Sequence, residues 1–383
     1  MIYEKFCKIW LCIIVVGISS IFLSSIIVDP IDILSTPIIR GINNYKSKQD
    51  SYLDVFKPYQ IVRNKPDVVF IGSSRVYYAW DAKLDGFKNE KVYNLGFSSL
   101  PLDNMDKYLD FVYKVHKPQK IFIGLDLFQF SKETYNNPKR NFSQNRLDRL
   151  STKTKNEILF ESLKENFQVS HLIGRTIKDS FKHKNDIEIF ERGWYASRGN
   201  CLFPNKESYY SSINGYINNY SNFSYEPKSM LFLESILTNA KKNNVETYVF
   251  FNPISVDLLA LIKIFELDND LNRIKKQVTN IFGIVYDFNY INPYTLNREK
   301  FFYDASHSNK IFGSIQKTDI LLGEDTYRMK VLTPYTIDTK LHEEIYTNNQ
   351  WFEDNYEYIS YLKTTLGKSD HLVQGKLKKF IGF

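Results

Sequence analysis

Short apolar runs that alternate with segments of helical periodicity constrain this 383-residue chain more than any other feature. The runs "DVVFIG" (67–72), "KVYNLG" (91–96) and "KIFIGLDLF" (120–128) are almost continuous, as expected for strands covered on both faces of a parallel sheet. Between the last two runs, "LDNMDKYLDFVYKVH" has apolar residues at helical spacing. The alternation predicts βαβ units and an α/β fold with a mostly parallel central sheet.

The same alternation returns in the carboxyl-terminal half, after a polar interruption. "SMLFLESILTNAKKNN" predicts an amphipathic helix, and "ETYVFFNP" (246–253) and "GIVYDFN" (283–289) predict two more strands. The α/β domain is therefore expected at residues 67–330. Residues 130–225 are rich in Tyr, Asn and Ser and are interpreted as an insertion that caps one end of the sheet. Residues 331–383 are expected to form a helical tail.

An apolar segment near the amino terminus predicts a membrane anchor. Residues 9–28 contain no charged side chain, and a helix of that length at about 1.5 Å per residue matches a hydrocarbon core of about 30 Å. Lys5 and Lys8 precede the segment, so the positive-inside rule places the amino terminus in the cytoplasm. A cleaved signal peptide is the alternative, but Ile and Val continue beyond Ser24 and Ser25, which favours an uncleaved anchor.

We therefore expect an anchor at 1–28, a juxtamembrane connector at 29–66 and a single-pass protein of the bacterial cell membrane. Its main domain would lie outside the cytoplasm, in the periplasm or at the cell surface. The net charge of +7 comes from scattered Lys and Arg mixed with acids, so no nucleic-acid partner is expected. Of the three cysteines, Cys12 lies in the apolar amino-terminal segment, Cys7 lies just before it, and Cys201 stands alone, without a CxxC motif. No metal and no cofactor are expected.

Polar residues follow the predicted strands, at the carboxyl ends where α/β sheets form their sites. The polar positions are Ser73 and Ser74, the stretch 94–96, Asp126, Asn252 and the cluster "DASH" at 304–307. Acyl transfer by serine needs a base for the hydroxyl proton, an acid that orients this base, and donors for the oxyanion. Among six histidines, His307 is the best candidate base, because Asp304 lies three residues before it.

Two motifs at the ends of the predicted domain carry a family resemblance. "FIGSSR" resembles the first block of the SGNH, or GDSL-like, hydrolase superfamily, with Ser73 where Asp is usual. The nucleophile position of that block falls on Ser74. "DASH" matches the final Asp-x-x-His block, which assigns Asp304 and His307 to the catalytic triad. The resemblance implies a three-layer α/β/α, flavodoxin-like fold.

Two internal motifs resemble the middle blocks of the same superfamily. "NLGFSS" is similar to the second block, whose usual oxyanion glycine falls on Ser99, three residues after Gly96. "GLDL" is similar to the third block, with Asp126 where the oxyanion Asn is usual. The resemblance implies that backbone N–H groups of Ser74 and of the stretch 96–99 hold the oxyanion. An ionised Asp126 accepts but cannot donate, so it is protonated, binds another group, or is not part of the hole.

With the amino-terminal anchor, the chain resembles membrane-anchored SGNH-like proteins of bacterial envelopes. It is also distantly similar to the family that assists D-alanyl transfer to lipoteichoic acid. This resemblance implies a serine esterase or acyltransferase that acts on O-acyl groups of a cell-surface polysaccharide. The implied partners are an acylated glycan or acyl donor and a polytopic membrane-bound O-acyltransferase. The alternative is a non-catalytic binding or assembly partner for such an acyltransferase or for a polysaccharide exporter.

Each candidate residue also has a plain structural interpretation. Ser74 is a helix N-cap in that interpretation, and Asp304 caps a helix on which His307 is exposed. Arg75 is a surface cation rather than an acyl-binding group, Asp126 is a structural carboxylate, and Asn252 is a strand-exit turn rather than a substrate contact.

Overall fold

The computed structural model describes residues 2–83, 86–87, 89–136, 142–187, 189–195 and 206–365. Two compact units emerge: Met1–Asn64 with Asn141–Glu191, and Lys65–Arg140 with Arg192–Phe383. The described residues form seventeen α-helices and eight strands. The protein is an α/β protein, and its six-stranded, mostly parallel sheet lies in the second unit.

The strands of the sheet occupy the segments predicted from the apolar runs. Those in the sheet are β1 (Val68–Ile71), β2 (Val92–Asn94), β3 (Lys120–Leu125), β6 (Glu246–Phe251), β7 (Val285–Asp287) and β8 (Lys330–Leu332). The short β4 (Phe190–Glu191) and β5 (Trp194–Tyr195) lie outside it. The spatial order is β2-β1-β3-β6-β7-β8, and all neighbours are parallel except β8, which runs antiparallel to β7. The three-residue edge strand β8 was not predicted, because it begins with Lys330 and is only partly buried, so no continuous apolar run marks it.

The helices of the second unit include the two predicted from helical spacing, at 102–115 and 228–242. In chain order they are α3 (Ser74–Ala79), α4 (Leu102–Val115), α5 (Lys132–Asn136), α9 (Lys206–Ser221), α10 (Lys228–Lys242), α11 (Val256–Ile264), α12 (Asp268–Phe282), α13 (Pro293–Leu296), α14 (Arg298–Phe301), α15 (Lys310–Leu322), α16 (Ile337–Asp354) and α17 (Tyr356–Thr365). Helix α10 packs on α4 and α12, whereas α15 packs on α3. The predicted helical tail contains α16 and α17.

Aromatic residues fill the core beside β1, β3 and β6. Phe70, Trp80, Phe122 and Phe250 are all fully buried. The rings of Trp80 and Phe250 stack with their centroids 4.7 Å apart, and Phe70 meets Phe122 edge-on at 5.6 Å. Large buried rings supply much apolar area per residue, which is how strands of three to six residues form a stable sheet.

A buried charge cluster ties α16 to the sheet. Lys275 of α12 contacts Asp287 of β7 at 2.5 Å and Glu344 of α16 at 2.8 Å. Burial, together with the neighbouring Asp287 charge, raises the pKa of Glu344 to about 8, although Lys275 opposes the shift. Two carboxylates share one ammonium here, so one of them keeps its proton near neutral pH.

The first unit contains the predicted anchor. Its helices are α1 (Ile2–Val28), α2 (Leu53–Asn64), α6 (Gln144–Thr152), α7 (Lys155–Gln168) and α8 (Ile173–Lys182), and α7 and α8 both pack on α1. Among the described residues, one helix is long and apolar enough to cross a membrane: Tyr3–Val28, in which a window of 18 residues has a mean hydropathy of 2.7. Its side chains are exposed as far as Leu23, whereas Ser25 and Val28 in the last turns are buried.

Candidate active site

The turn after β1 decides which of the two adjacent serines is the helix cap. The hydroxyl of Ser73 accepts the backbone N–H of Arg75 at 3.1 Å, so Ser73 is the N-cap of α3. Ser74 is then the first helical residue and is only half-buried. The interpretation of Ser74 as the N-cap is therefore wrong. A Cβ on Gly72 would lie 2.8 Å from the carbonyl oxygen of Gly124, so only glycine fits where the turn passes β3.

The loop before α15 holds the predicted base. The backbone N–H of Tyr303 donates to the carbonyl of His307 at 2.8 Å, which closes a tight loop. Helix α15 begins later, at Lys310, and its N-cap is Asn309. The interpretation of His307 as a helical residue capped by Asp304 is therefore wrong, because His307 lies in the loop before the helix.

Ser74, His307 and Asp304 form one hydrogen-bonded chain. The Oγ of Ser74 lies 2.8 Å from Nε2 of His307. On the other side of the ring, Nδ1 lies 2.8 Å from Oδ2 and 2.9 Å from Oδ1 of Asp304. The Oδ1 of Asp304 also accepts the backbone N–H groups of Ser306 and His307, which fixes the carboxylate in its loop. The predicted nucleophile, base and orienting acid thus meet although 233 positions separate Ser74 from His307.

The environment of Asp304 sets the direction of these hydrogen bonds. Burial alone would raise the pKa of Asp304, but the interaction with His307 and the hydrogen bonds from the ring and from two backbone N–H groups outweigh it. The pKa therefore lies below its usual value, and the carboxylate is ionised at neutral pH. An ionised carboxylate only accepts, so Nδ1 of His307 must carry a proton. In the neutral ring Nε2 is then left to accept the proton of Ser74.

Arg75 is buried beside the triad rather than exposed as a surface cation. Its Nε donates to the carbonyl of Ser306 at 2.9 Å, and one Nη donates to the hydroxyl of Tyr216 at 2.7 Å. The other Nη pairs with Asp126. Burial alone would lower the pKa of Arg75, but the charge of Asp126 raises it above its ordinary value, so the guanidinium stays charged. One side chain thus connects α3, the end of β3, α9 and the loop of His307.

The partners of Asp126 give it a structural role in this arrangement. Besides Arg75, its Oδ1 accepts the side-chain N–H of Asn252 at 3.2 Å. Asn252 is itself buried and also donates to the carbonyl of Leu125 at 3.3 Å, so it is more than an exposed turn residue. The Oδ2 of Asp126 has no hydrogen-bond partner among the described residues. Of the possibilities left by the sequence, the structure places Asp126 in an ion pair with Arg75.

The backbone donors near the nucleophile are fewer than the sequence suggested. The N–H of Gly96 donates to Oδ1 of Asn94 at 2.9 Å, and the N–H of Phe97 donates to the carbonyl of Gly72 at 2.9 Å. Gly96 is therefore corrected from oxyanion donor to a packing position, where a Cβ would lie 2.8 Å from the amide nitrogen of Tyr77.

The N–H groups of Ser74 and Ser99 have no acceptor in the part of the chain that the structure describes. The bond from Phe97 to Gly72 holds the stretch containing Ser99 against the turn of Ser74. Ser99 is exposed and has a φ of 51°, the left-handed conformation that glycine adopts most easily. The conformation at this position thus suits the glycine that is usual in the resembled block.

Two tyrosines of the site were missed by reasoning from the sequence. The ring of Tyr78 meets the imidazole of His307 edge-on, with centroids 4.6 Å apart, and limits how the base can rotate. The hydroxyl of Tyr216 lies 2.9 Å from Oγ of Ser306 and also accepts a hydrogen bond from Arg75. Tyr216 belongs to a Tyr-rich stretch in which no local signal distinguishes one tyrosine from the next.

Comparisons of the sequence with protein families and with curated proteins found no match. The resemblance to SGNH hydrolases therefore stays a prediction based on four short motifs. In the described part of the chain, no group of three His, Cys, Asp or Glu side chains could hold a metal ion.

Proposed function

We propose that the chain is an extracytoplasmic serine esterase or acyltransferase, of SGNH-like three-layer fold, that acts on O-acyl groups of a cell-surface polysaccharide. The observation that carries this proposal is the continuous chain of hydrogen bonds from Ser74 through His307 to Asp304, with every step at 2.8–2.9 Å. Such a chain lets a serine hydroxyl act as a nucleophile at neutral pH.

The reaction has two symmetrical halves. Ser74 Oγ bonds to the acyl carbon while its proton passes to Nε2 of His307, and Asp304 stabilises the imidazolium. The ester bond then breaks, and the departing sugar oxygen takes the proton from His307, which leaves an acyl-serine. A water molecule or a second hydroxyl group next gives its proton to His307 and bonds to the acyl carbon. The bond between the acyl carbon and Ser74 Oγ then breaks, and Oγ takes the proton back from His307. Hydrolysis and transfer differ only in this acceptor.

The ion pair of Asp126 with Arg75 makes a negative charge on the intermediate compatible with a carboxylate near Ser74. A free carboxylate near the nucleophile would oppose the negative charge of a tetrahedral intermediate. Here Arg75 lies against Asp126, so the pair carries no net charge beside the site. The N–H groups of Ser74 and Ser99 are the donors we assign to the oxyanion.

Helix α1 supports the location that we propose. It is long and apolar enough to cross a membrane, and Lys5 and Lys8 lie near its amino-terminal end. Together with the site, this anchor fits an enzyme of the bacterial envelope that acts beside a polytopic membrane-bound O-acyltransferase. Acylated glycan would be presented at the same membrane surface.

Labelling with a fluorophosphonate probe tests the nucleophile. The probe phosphorus bonds to an activated serine oxygen and releases fluoride, so labelling needs Ser74 and its base. We expect wild type to be labelled, Ser74→Ala to be unlabelled, and His307→Ala to be labelled far more slowly. Ser221→Ala, on an exposed position of α9, is the matched control and keeps its label. Equal labelling of wild type and Ser74→Ala would exclude Ser74 as the nucleophile.

A non-catalytic role as a binding or assembly partner is the second candidate. It is favoured by the engaged N–H groups of Gly96 and Phe97, which leave few donors for an oxyanion. The double variant Ser74→Ala, His307→Ala separates the two functions in cells. Glycan O-acylation that persists at the wild-type level in this variant would support the assembly role. A loss of O-acylation supports a transferase, and a rise supports an esterase.

A further inference from the structure

The outward faces of α7 and α8 are apolar, and their inward faces are polar. The buried side chains of α7 are Ser162 and Asn166, and those of α8 are Thr176 and Ser180. The large apolar residues exposed on the two helices are Leu159, Phe160, Phe167, Ile177 and Phe181, which we call the apolar collar. Helices of a protein surrounded by water show the opposite arrangement, with the apolar face turned inward.

The spacing of the collar residues makes each apolar face continuous. Leu159 and Phe167 are separated by two helical turns, with Phe160 beside them, and Ile177 and Phe181 are four residues apart. Phe160 is 68% exposed and Phe181 is 74% exposed, so these rings are not covered by the rest of the chain. A face of this kind favours an apolar surrounding medium.

The collar lies beside the carboxyl-terminal turns of α1. The rings of Phe22 and Phe167 lie 6.0 Å apart, and the side-chain N–H of Asn166 donates to the carbonyl of Ser25 at 2.6 Å. Phe22 lies six residues before Val28, the last residue of α1, which corresponds to about 9 Å along the helix axis. If α1 crosses a membrane, α7 and α8 must therefore reach the level where hydrocarbon meets lipid headgroups.

Exposed cations are concentrated on α8, whereas α7 carries three glutamates against two lysines. Lys164 of α7 is exposed, as are Arg175, Lys178 and Lys182 of α8. Long basic side chains beside an apolar face can extend to lipid phosphates while their stems stay in the apolar layer. The only acidic residue of α8 is Asp179, so the helix carries a net positive charge that complements anionic headgroups.

We propose that the apolar collar inserts into the interfacial layer of the leaflet at the carboxyl end of α1. The first unit then contacts the membrane in two ways. Helix α1 spans it, and the outward apolar faces of α7 and α8 insert beside α1. The inference rests on the membrane-anchor part of the proposed function, and it does not depend on catalysis by Ser74.

Depth-dependent quenching tests the insertion in the full-length chain. In a C7S, C12S, C201S background, single cysteines introduced by F160C or F181C carry an NBD fluorophore. The protein is reconstituted at one copy per lipid nanodisc, with or without doxyl-labelled lipids. We expect blue-shifted emission and loss of most of the emission with doxyl lipids. L231C, an equally exposed leucine on α10, is the matched control and should keep its emission. V15C in α1 is the positive control.

The outcomes separate the insertion from the anchor and from catalysis. Quenching of the V15C probe without quenching of the F160C and F181C probes would overturn the insertion and leave the anchor standing. Absence of quenching at V15C would overturn both. The collar probes could instead show blue-shifted emission only at several copies per disc, with no quenching by doxyl lipids. That result would show a contact between copies and overturn the proposal. Fluorophosphonate labelling of the same samples reports on the active site separately.

Discussion

At the scale of single residues, Arg75 determines how the site is held together. It follows the nucleophile directly in the chain, and its guanidinium contacts Asp126, Tyr216 and the carbonyl of Ser306. Ser306 is the neighbour of His307, so the same cation that pairs with Asp126 also fixes the loop of the base. We infer that Arg75 is a positioning residue for the triad.

Replacing one member of the buried pair should destabilise the protein strongly. Arg75→Met leaves the buried charge of Asp126 without its cation, with only the side chain of Asn252 donating to it, and should lower the free energy of unfolding by about 3–5 kcal/mol. The double variant Arg75→Met, Asp126→Leu has no orphan charge and should lie much closer to wild type. Denaturant unfolding in detergent measures both variants. A double variant as unstable as Arg75→Met would show that the pair is not what the substitution disrupts.

Two properties should depend on the ionised carboxylate of Asp304. One is the reactivity of Ser74, and the other is the stability of the fold at low pH. In Asp304→Asn the amide can donate to Nδ1, which leaves Nε2 protonated and unable to accept from Ser74. Labelling by a fluorophosphonate should then slow by a factor on the order of 10⁴. Its retention at the wild-type rate would mean that Asp304 does not orient the base.

The pKa of Asp304 is lower in the folded state than its ordinary value of 3.8. At low pH the unfolded chain therefore binds the proton first, and the stabilisation is lost as pH falls through the folded-state pKa. The difference in unfolding free energy between wild type and Asp304→Asn should be constant above about pH 5 and shrink below it. A difference that is independent of pH would contradict this assignment.

At the scale of elements, α3 is held close to the sheet by two glycines. A Cβ on Gly124 would lie 2.5 Å from Cγ2 of Val76, and a Cβ on Gly72 would lie 2.4 Å from the same atom. Val76 is two residues beyond Ser74 on α3. The distance between α3 and β3 therefore fixes where the nucleophile stands relative to His307.

Gly124→Ala should push α3 away from β3. We expect a loss of about 1–3 kcal/mol of stability from overpacking, together with slower fluorophosphonate labelling. Gly124→Ala combined with Val76→Ala makes room for the new methyl group and should recover part of the labelling rate. Val76→Ala alone is the control for the cavity. Labelling that is unchanged in Gly124→Ala would show that the position of Ser74 does not depend on this contact.

At the scale of the whole molecule, the orientation of α1 decides on which side of the membrane the site acts. With Lys5 and Lys8 before the apolar helix, the positive-inside rule predicts that the amino terminus lies in the cytoplasm. An alkaline phosphatase fused to the carboxyl terminus, which is active only outside the cytoplasm, should therefore be active in intact bacteria. The same enzyme fused to the amino terminus should be inactive. The reverse pattern would place the site in the cytoplasm and exclude a surface glycan as the substrate.

How much of the molecule could be predicted depends on how local each signal is. The five parallel strands were predicted because their apolar runs are local and continuous, and the sheet confirms them. Strand β8 was not predicted, since it begins with Lys330 and is only partly buried, whereas the equally short edge strand β2 is fully buried and lies in an apolar run. The Tyr-rich middle contributes Tyr216 to the site, yet no local property distinguishes that residue from its neighbours.

The sequence by itself determined the α/β class, the apolar helix α1, and the motifs that nominate Ser74, Asp304 and His307. All of these follow from periodicity, from length, or from short motifs of adjacent residues. Only the tertiary structure decided that Ser73 rather than Ser74 caps α3, that Arg75 pairs with Asp126, and that Gly96 has no free N–H. The pair of Arg75 and Asp126 joins residues 51 positions apart, and the order of residues along the chain does not contain that distance. The other two contacts span two residues each, but which neighbour accepts each N–H depends on backbone torsion angles that the packed structure sets.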